Sequence, residues 1–133
     1  MTRRNFLALG GLLLVDLLLP RSAFGRSRRS RLLDVEVTAY CPCRICCGRH
    51  ANGITAVGRD AQLPGVAVDP SVIRLGSHLD IPRYPRGPNK NGSWIRADDT
   101  GSAIKGHIID VRFRTHEEAV QWGRRTLQVR VWD

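Results

Sequence analysis

The stretch Asp98-Asp99-Thr100-Gly101-Ser102-Ala103-Ile104-Lys105-Gly106-His107-Ile108-Ile109-Asp110 decides how the rest of the chain is read. It opens on two adjacent carboxylates, passes through a small loop punctuated by Gly101 and Gly106, and returns along an apolar run to a third carboxylate at Asp110. An acid set into an apolar strand is costly unless it is paired or used, because burial disfavours its charged form. A strand carrying such an acid, facing a loop that carries two more, is a way to build a general acid with a raised pKa. The pattern predicts strand, loop and strand, with chemistry at the two ends of the loop.

Working outward, Leu33-Asp34-Val35-Glu36-Val37-Thr38-Ala39-Tyr40 alternates apolar and polar residues and reads as a half-buried strand. Short strands are predicted over 66–68, 77–81, 94–97 and 108–114. Leu127, Val129 and Val131 alternate with Gln128, Arg130 and Trp132 in a closing strand. Residues 82–92, with Pro82, Pro85 and Pro88, read as a polar surface loop. Thr115-His116-Glu117-Glu118 is a capping box that opens a short helix running to Trp122 and stopping at Gly123. Six short strands and one short helix predict a mainly β protein, a small barrel rather than an open sheet.

A chain of 133 residues is one domain with a real core. Its 42% hydrophobic and 25% charged residues are ordinary for a globular protein. Residues 1–25 read as an export signal: Arg3-Arg4 precedes the apolar run of residues 7–19, which is too short to span a bilayer, and Ala23 and Gly25 suit cleavage. The Arg-Arg-Asn-Phe-Leu order is twin-arginine-like. Residues 26–32 form a basic, flexible leader suited to an anionic surface, and 33–133 the folded domain. The full chain carries a net charge of +9; removing residues 1–25 takes away three arginines and one aspartate and leaves +7. That balance favours an anionic partner. Nucleic acid is excluded, because export argues against it and the aromatics are not interleaved with basic residues as a stacking platform needs.

Cys41-Pro42-Cys43-Arg44-Ile45-Cys46-Cys47 packs four cysteines into one short segment. Disulfides are the default for an exported chain. The Cys43-x-x-Cys46 spacing also fits a metal site, although four ligands from so short a segment are hard to fold into a tetrahedron. Both readings stay open, and neither makes a cysteine the nucleophile. No cofactor is otherwise called for.

Linked motifs run from about Val35 to Val131: Val37-Thr38-Ala39-Tyr40-Cys41-Pro42-Cys43, Gly53-Ile54-Thr55-Ala56, Ala67-Val68-Asp69-Pro70, Leu75-Gly76-Ser77, Asp98-Asp99-Thr100-Gly101 and Ile109-Asp110-Val111. In this order they resemble the 3D domain, named for three aspartates and shared with the murein lytic transglycosylase A family. The resemblance implies a six-stranded double-psi β-barrel that cleaves peptidoglycan glycan strands in the periplasm or cell envelope. It maps the aspartates to Asp69, Asp99 and Asp110, with Asp110 as acid/base and Asp99 and Asp69 as its supports; Asp98 falls outside the motif as a structural or solvent-facing acid. Thr38, Tyr40, Thr100 and Lys105 are candidate substrate contacts. The large transglycosylases carry a second domain that forms one groove wall, so a partner protein completing the groove is expected here. The alternative is a non-catalytic, cationic glycan-binding module.

Overall fold

The computed structural model describes residues 29–86 and 94–133. The export segment, the first three leader residues and part of the proline loop lie outside the described residues. Among the described residues there are six strands: β1 (Ser30–Tyr40), β2 (Val66–Ala67), β3 (His78–Asp80), β4 (Ile95–Asp99), β5 (Ile108–Arg112) and β6 (Arg125–Trp132). Each pairs with two neighbours, and the order β1-β5-β2-β4-β3-β6 closes on itself through the β1–β6 ladder. Closure removes exposed sheet edges. Two of the pairings, β1 with β5 and β2 with β4, are parallel; the others are antiparallel.

The period-two pattern decides which face of each strand is inside. Val35 and Val37 of β1, Ile109 and Val111 of β5, Val129 and Val131 of β6, with Val66, Leu79, Ile95 and Ala97, are buried together in the core. Burying each of the valine, leucine and isoleucine side chains contributes roughly 1.5–3 kcal/mol. Aromatic rings extend this core: Tyr84 meets Phe113 at 5.4 Å and Trp122 at 6.1 Å, both edge to face.

Helix α2 (His116–Trp122) begins as its capping box predicts, with Thr115 Oγ1 accepting from Glu118 N at 3.2 Å and Glu118 Oε2 accepting from Thr115 N at 3.3 Å. Three expectations need correction. Strand β1 starts at Ser30, so Ser30, Arg31 and Leu32 are not leader: they pair with Trp132, Val131 and Arg130, because the long β6 supplies partners for them. The fold has a second short helix, α1 (Arg44–Cys47), inside the cysteine segment, followed by a 3-10 turn over Gly48–His50. Its cause is local: the Cys47 amide donates to Cys43 O at 2.8 Å, and Gly48 at φ 53° ends the turn. Tyr84, expected on a surface loop, is buried and donates its hydroxyl hydrogen bond to Arg112 O.

Candidate active site

Asp110 sits on β5 with its two core-facing neighbours, Ile109 and Val111, turned away from it. It therefore faces the outer side of the barrel, where loops cover it. The strand register places it in a row: Thr38 on β1 pairs with Asp110, Asp110 with Ala67 on β2, and Ala67 with Asp99 on β4. The two carboxylate positions are separated by one small residue, and two strand spacings put their backbones roughly 9–10 Å apart across the sheet. Ala67 keeps the floor between them low.

A bulge makes this row possible. Val66 pairs with Ala97 but Ala67 pairs with Asp99, so Asp98 is an extra residue in β4. Strict alternation would turn Asp99 into the core; the inserted residue resets the phase. Asp98 and Asp99 thus both leave the core side, at different depths.

Asp99 accepts three hydrogen bonds: from Tyr40 Oη at 2.7 Å, Ala56 N at 2.9 Å and Thr100 N at 3.0 Å. Asp110 accepts one, from Thr38 Oγ1 at 2.9 Å. Burial pushes the Asp110 carboxyl up to about 6; the Thr38 bond opposes the shift and the neighbouring Asp99 charge adds to it. A carboxyl tuned in this way can give a proton and take one back near neutral pH.

Asp98 is fully buried rather than solvent-facing. Arg112, equally buried, grips it with two parallel bonds, Nη1 to Oδ1 at 2.9 Å and Nη2 to Oδ2 at 2.7 Å. Arg59 adds a third, at 2.9 Å. Arg112 also donates through Nη1 to Tyr40 Oη at 3.0 Å and through Nε to Leu63 O at 3.0 Å. Burial opposes the guanidinium charge, but the bonds to Asp98 and Tyr40 outweigh it and raise the Arg112 pKa. Tyr40 is held protonated, chiefly by burial, which raises its pKa. Its hydroxyl accepts from Arg112 and donates to Asp99, so a chain Asp98–Arg112–Tyr40–Asp99 runs under the site.

Gly65 fits this network closely. A Cβ there would lie 2.2 Å from Arg112 Nη2 and 2.4 Å from Asp98 Oδ1. Gly65→Ala should therefore lower stability by about 3 kcal/mol, the upper part of the range for overpacking. Thermal denaturation followed by circular dichroism checks this, and an unchanged midpoint would mean that the ion pair has room to move.

Above the row lies an open groove of about 620 Å³, lined among others by Tyr40, Ala67, Asp99, Thr100, Lys105 and Asp110. The volume is within the usual range for small-molecule sites, roughly 300–1,000 Å³. One wall comes from the cysteine segment through Pro42, Cys46, Cys47 and His50, another from Thr100, Gly101, Ser102 and Ile104.

With that geometry in view, the 3D domain family model matches residues 65–133, which include β2 through β6 and all three aspartates. The chain belongs to the 3D domain family. Two Bacillus subtilis (strain 168) proteins are similar to it. YabE, named as a cell wall shaping protein, is 34% identical over 114 residues, which is 84% of this chain and 26% of YabE. YocH, named as a cell wall-binding protein, is 38% identical over 106 residues, covering 77% of this chain and 33% of YocH. The chain thus spans between a quarter and a third of the length of these relatives.

The three aspartates of this 3D domain do not converge. Asp99 and Asp110 share the groove, whereas Asp69 is half-buried and outside the lining. Asp69 accepts from Ser71 N and Oγ at 3.0 and 2.8 Å and from Gly106 N at 2.7 Å. These bonds, the one from the Gly106 amide foremost, hold its carboxyl down at about 2. Asp69 thus clasps the end of the 100–106 loop and makes none of the contacts that shift Asp110, contrary to the direct support expected of it. Of the expected substrate contacts, Thr100 and Lys105 line the groove; Tyr40 lines it with its hydroxyl already committed, and Thr38 lies outside the lining, bonded to Asp110. Ala67, Arg112 and the Ala56 amide escaped the sequence reading. Ala67 has no chemistry of its own, and Arg112 is one of many arginines in a basic chain.

Proposed function

We propose that this 3D domain is an exported lytic transglycosylase of peptidoglycan, cleaving the β-1,4 bond between N-acetylmuramic acid and N-acetylglucosamine. The observation that carries the reading is Asp110: a carboxyl raised to about 6, at the floor of a groove, braced by Thr38 and flanked by Asp99. Hydrolytic glycosidases employ two carboxylates. A transglycosylase runs on one. Asp110 protonates the glycosidic oxygen as the C1–O bond breaks. The resulting carboxylate takes the proton of the muramyl C6 hydroxyl as that oxygen closes on C1, giving a 1,6-anhydro sugar with no water consumed. Asp99, with its three donors, supplies a fixed negative charge that favours the positive character developing at C1. Lys105 and Thr100 on the wall offer contacts for the substrate's acidic and hydroxyl groups.

The parallel β1–β5 and β2–β4 pairings within a closed six-stranded ring support a double-psi barrel. The names of YabE and YocH support a role at the cell wall, and with it export through the segment 1–25. Purified peptidoglycan incubated with the protein should release soluble fragments carrying the anhydro mass in mass spectrometry. Fragments with reducing ends would replace transglycosylation by hydrolysis. The second reading, a cationic module that binds glycan without cutting it, is favoured by the name of YocH, while the +7 charge suits both readings; it predicts co-sedimentation with peptidoglycan and no fragments.

A further inference from the structure

The cysteine segment and helix α2 are distant in sequence but adjacent in space. Strands β1 and β5 run parallel with Tyr40 opposite Arg112, so the chain leaves both in the same direction. The Phe113 amide donates to Tyr40 O at 2.8 Å and ties the two exits together. Cys41 then follows β1, and His116 at the start of α2 follows β5. The result is a cluster in which Cys41 Sγ, Cys43 Sγ, Cys46 Sγ and a His116 ring nitrogen all lie within 4.8 Å of one another. Cys41 Sγ and Cys46 Sγ are 3.5 Å apart, and Cys46 Sγ is 3.5 Å from His116 Nδ1.

We propose that Cys41, Cys43, Cys46 and His116 form a structural zinc site that braces one wall of the groove. The donor set is three sulfurs and one imidazole, a combination found in closed, four-coordinate zinc sites. The spacing fits as well. Tetrahedral bonds of about 2.3 Å to sulfur and about 2.0 Å to nitrogen place sulfur and nitrogen ligands about 3.5 Å apart and two sulfurs about 3.8 Å apart. The fourth ligand, which the short segment could not supply by itself, comes from the other strand of the parallel pair, where the chain leaves β5. Cys47 stands apart from the cluster: its Sγ–H donates to Cys41 O at 3.3 Å, and it lines the groove with Tyr40, Ala67 and Ile104 nearby. A disulfide between Cys41 and Cys46 would use two of the four groups and give His116 no part. Zinc binding displaces three thiol protons, forms three Zn–S bonds and one Zn–N bond, and moves no electrons. The complex carries one negative charge, and Arg44 and Arg49 on the same segment are of the sign to offset it.

Because Cys46, Cys47 and His50 line the groove, the ion would fix the position of that wall against the barrel. The site stands independently of the cleavage chemistry. The full chain, purified without chelators, should contain one zinc per chain by inductively coupled plasma mass spectrometry. Stripping it should expose three additional thiols to titration and lower the thermal midpoint. Refilling with cobalt(II) should give the visible bands of a tetrahedral thiolate complex. His116→Ala and Cys43→Ser should each weaken zinc binding by at least about tenfold, since even supporting residues around a metal cost that much. Cys47→Ala should keep the full metal content. His116→Ala is the discriminating variant, since it leaves every thiol in place. A parent protein free of zinc, with Cys41, Cys43 or Cys46 in disulfides by non-reducing peptide mapping, would overturn the proposal. So would zinc retained unchanged in His116→Ala.

Discussion

Asp110→Asn should abolish glycan release while making the folded protein more stable at neutral pH. The first effect follows from the proposed acid/base role: losing a positioned general acid costs about 10²–10⁴ in rate. The second follows from burial. The folded protein holds this carboxyl at about 6 against an ordinary value of 3.8, so folding favours its protonated form. The stability contributed by this group is complete below about pH 4 and is lost as pH rises through 6. Asparagine carries no such liability. The variant should gain on the order of 1–3 kcal/mol above pH 7, and the gain should vanish near pH 3. Denaturation midpoints measured across pH test this without any substrate, so the burial argument stands or falls apart from the catalytic one. Cleavage by the parent should decline as pH rises above 6, close to tenfold per unit, as the acid form is depleted. A flat profile from pH 5 to 8 would remove Asp110 as the proton donor.

Arg112→Met carries the other large effect. It would leave Asp98, fully buried, with Arg59 as its remaining cationic partner. Breaking one side of a buried ion pair costs about 3–5 kcal/mol, mostly because the other charge stays behind without its partner. Replacing both members should cost far less, so Arg112→Met with Asp98→Leu should recover much of the loss. Chemical denaturation of the two variants beside the parent measures the difference. A single variant within 1 kcal/mol of the parent would mean that Arg59 alone satisfies Asp98. Cleavage should suffer even in the recovered variant, because Tyr40 loses its Arg112 donor and holds Asp99 less firmly.

The strands were legible because their signal is local. Val35 and Val37 alternate with polar neighbours, and that period needs no knowledge of partners. The capping box of α2 was legible for the same reason, since Thr115 and Glu118 satisfy each other across a single turn. Asp110 announced itself as an acid among isoleucines and valine. The short helix α1 was missed because it makes one turn and has no apolar stripe: none of its residues is buried.

Chemistry written in adjacent residues was thus open to reading; chemistry made by register was not. The residues themselves determine that Asp98 and Asp99 are neighbours, but only the bulge in β4 sends one to a buried arginine and the other to the groove. They determine that Asp69 is an acid near a turn, but only the folded loop spends it on Ser71 and Gly106. They put three cysteines close together, and it takes the parallel exit of β1 and β5 to add His116. A strand's alternation is set by bonds along the chain, whereas which strand lies beside it, and at what offset, depends on the closure of the whole barrel.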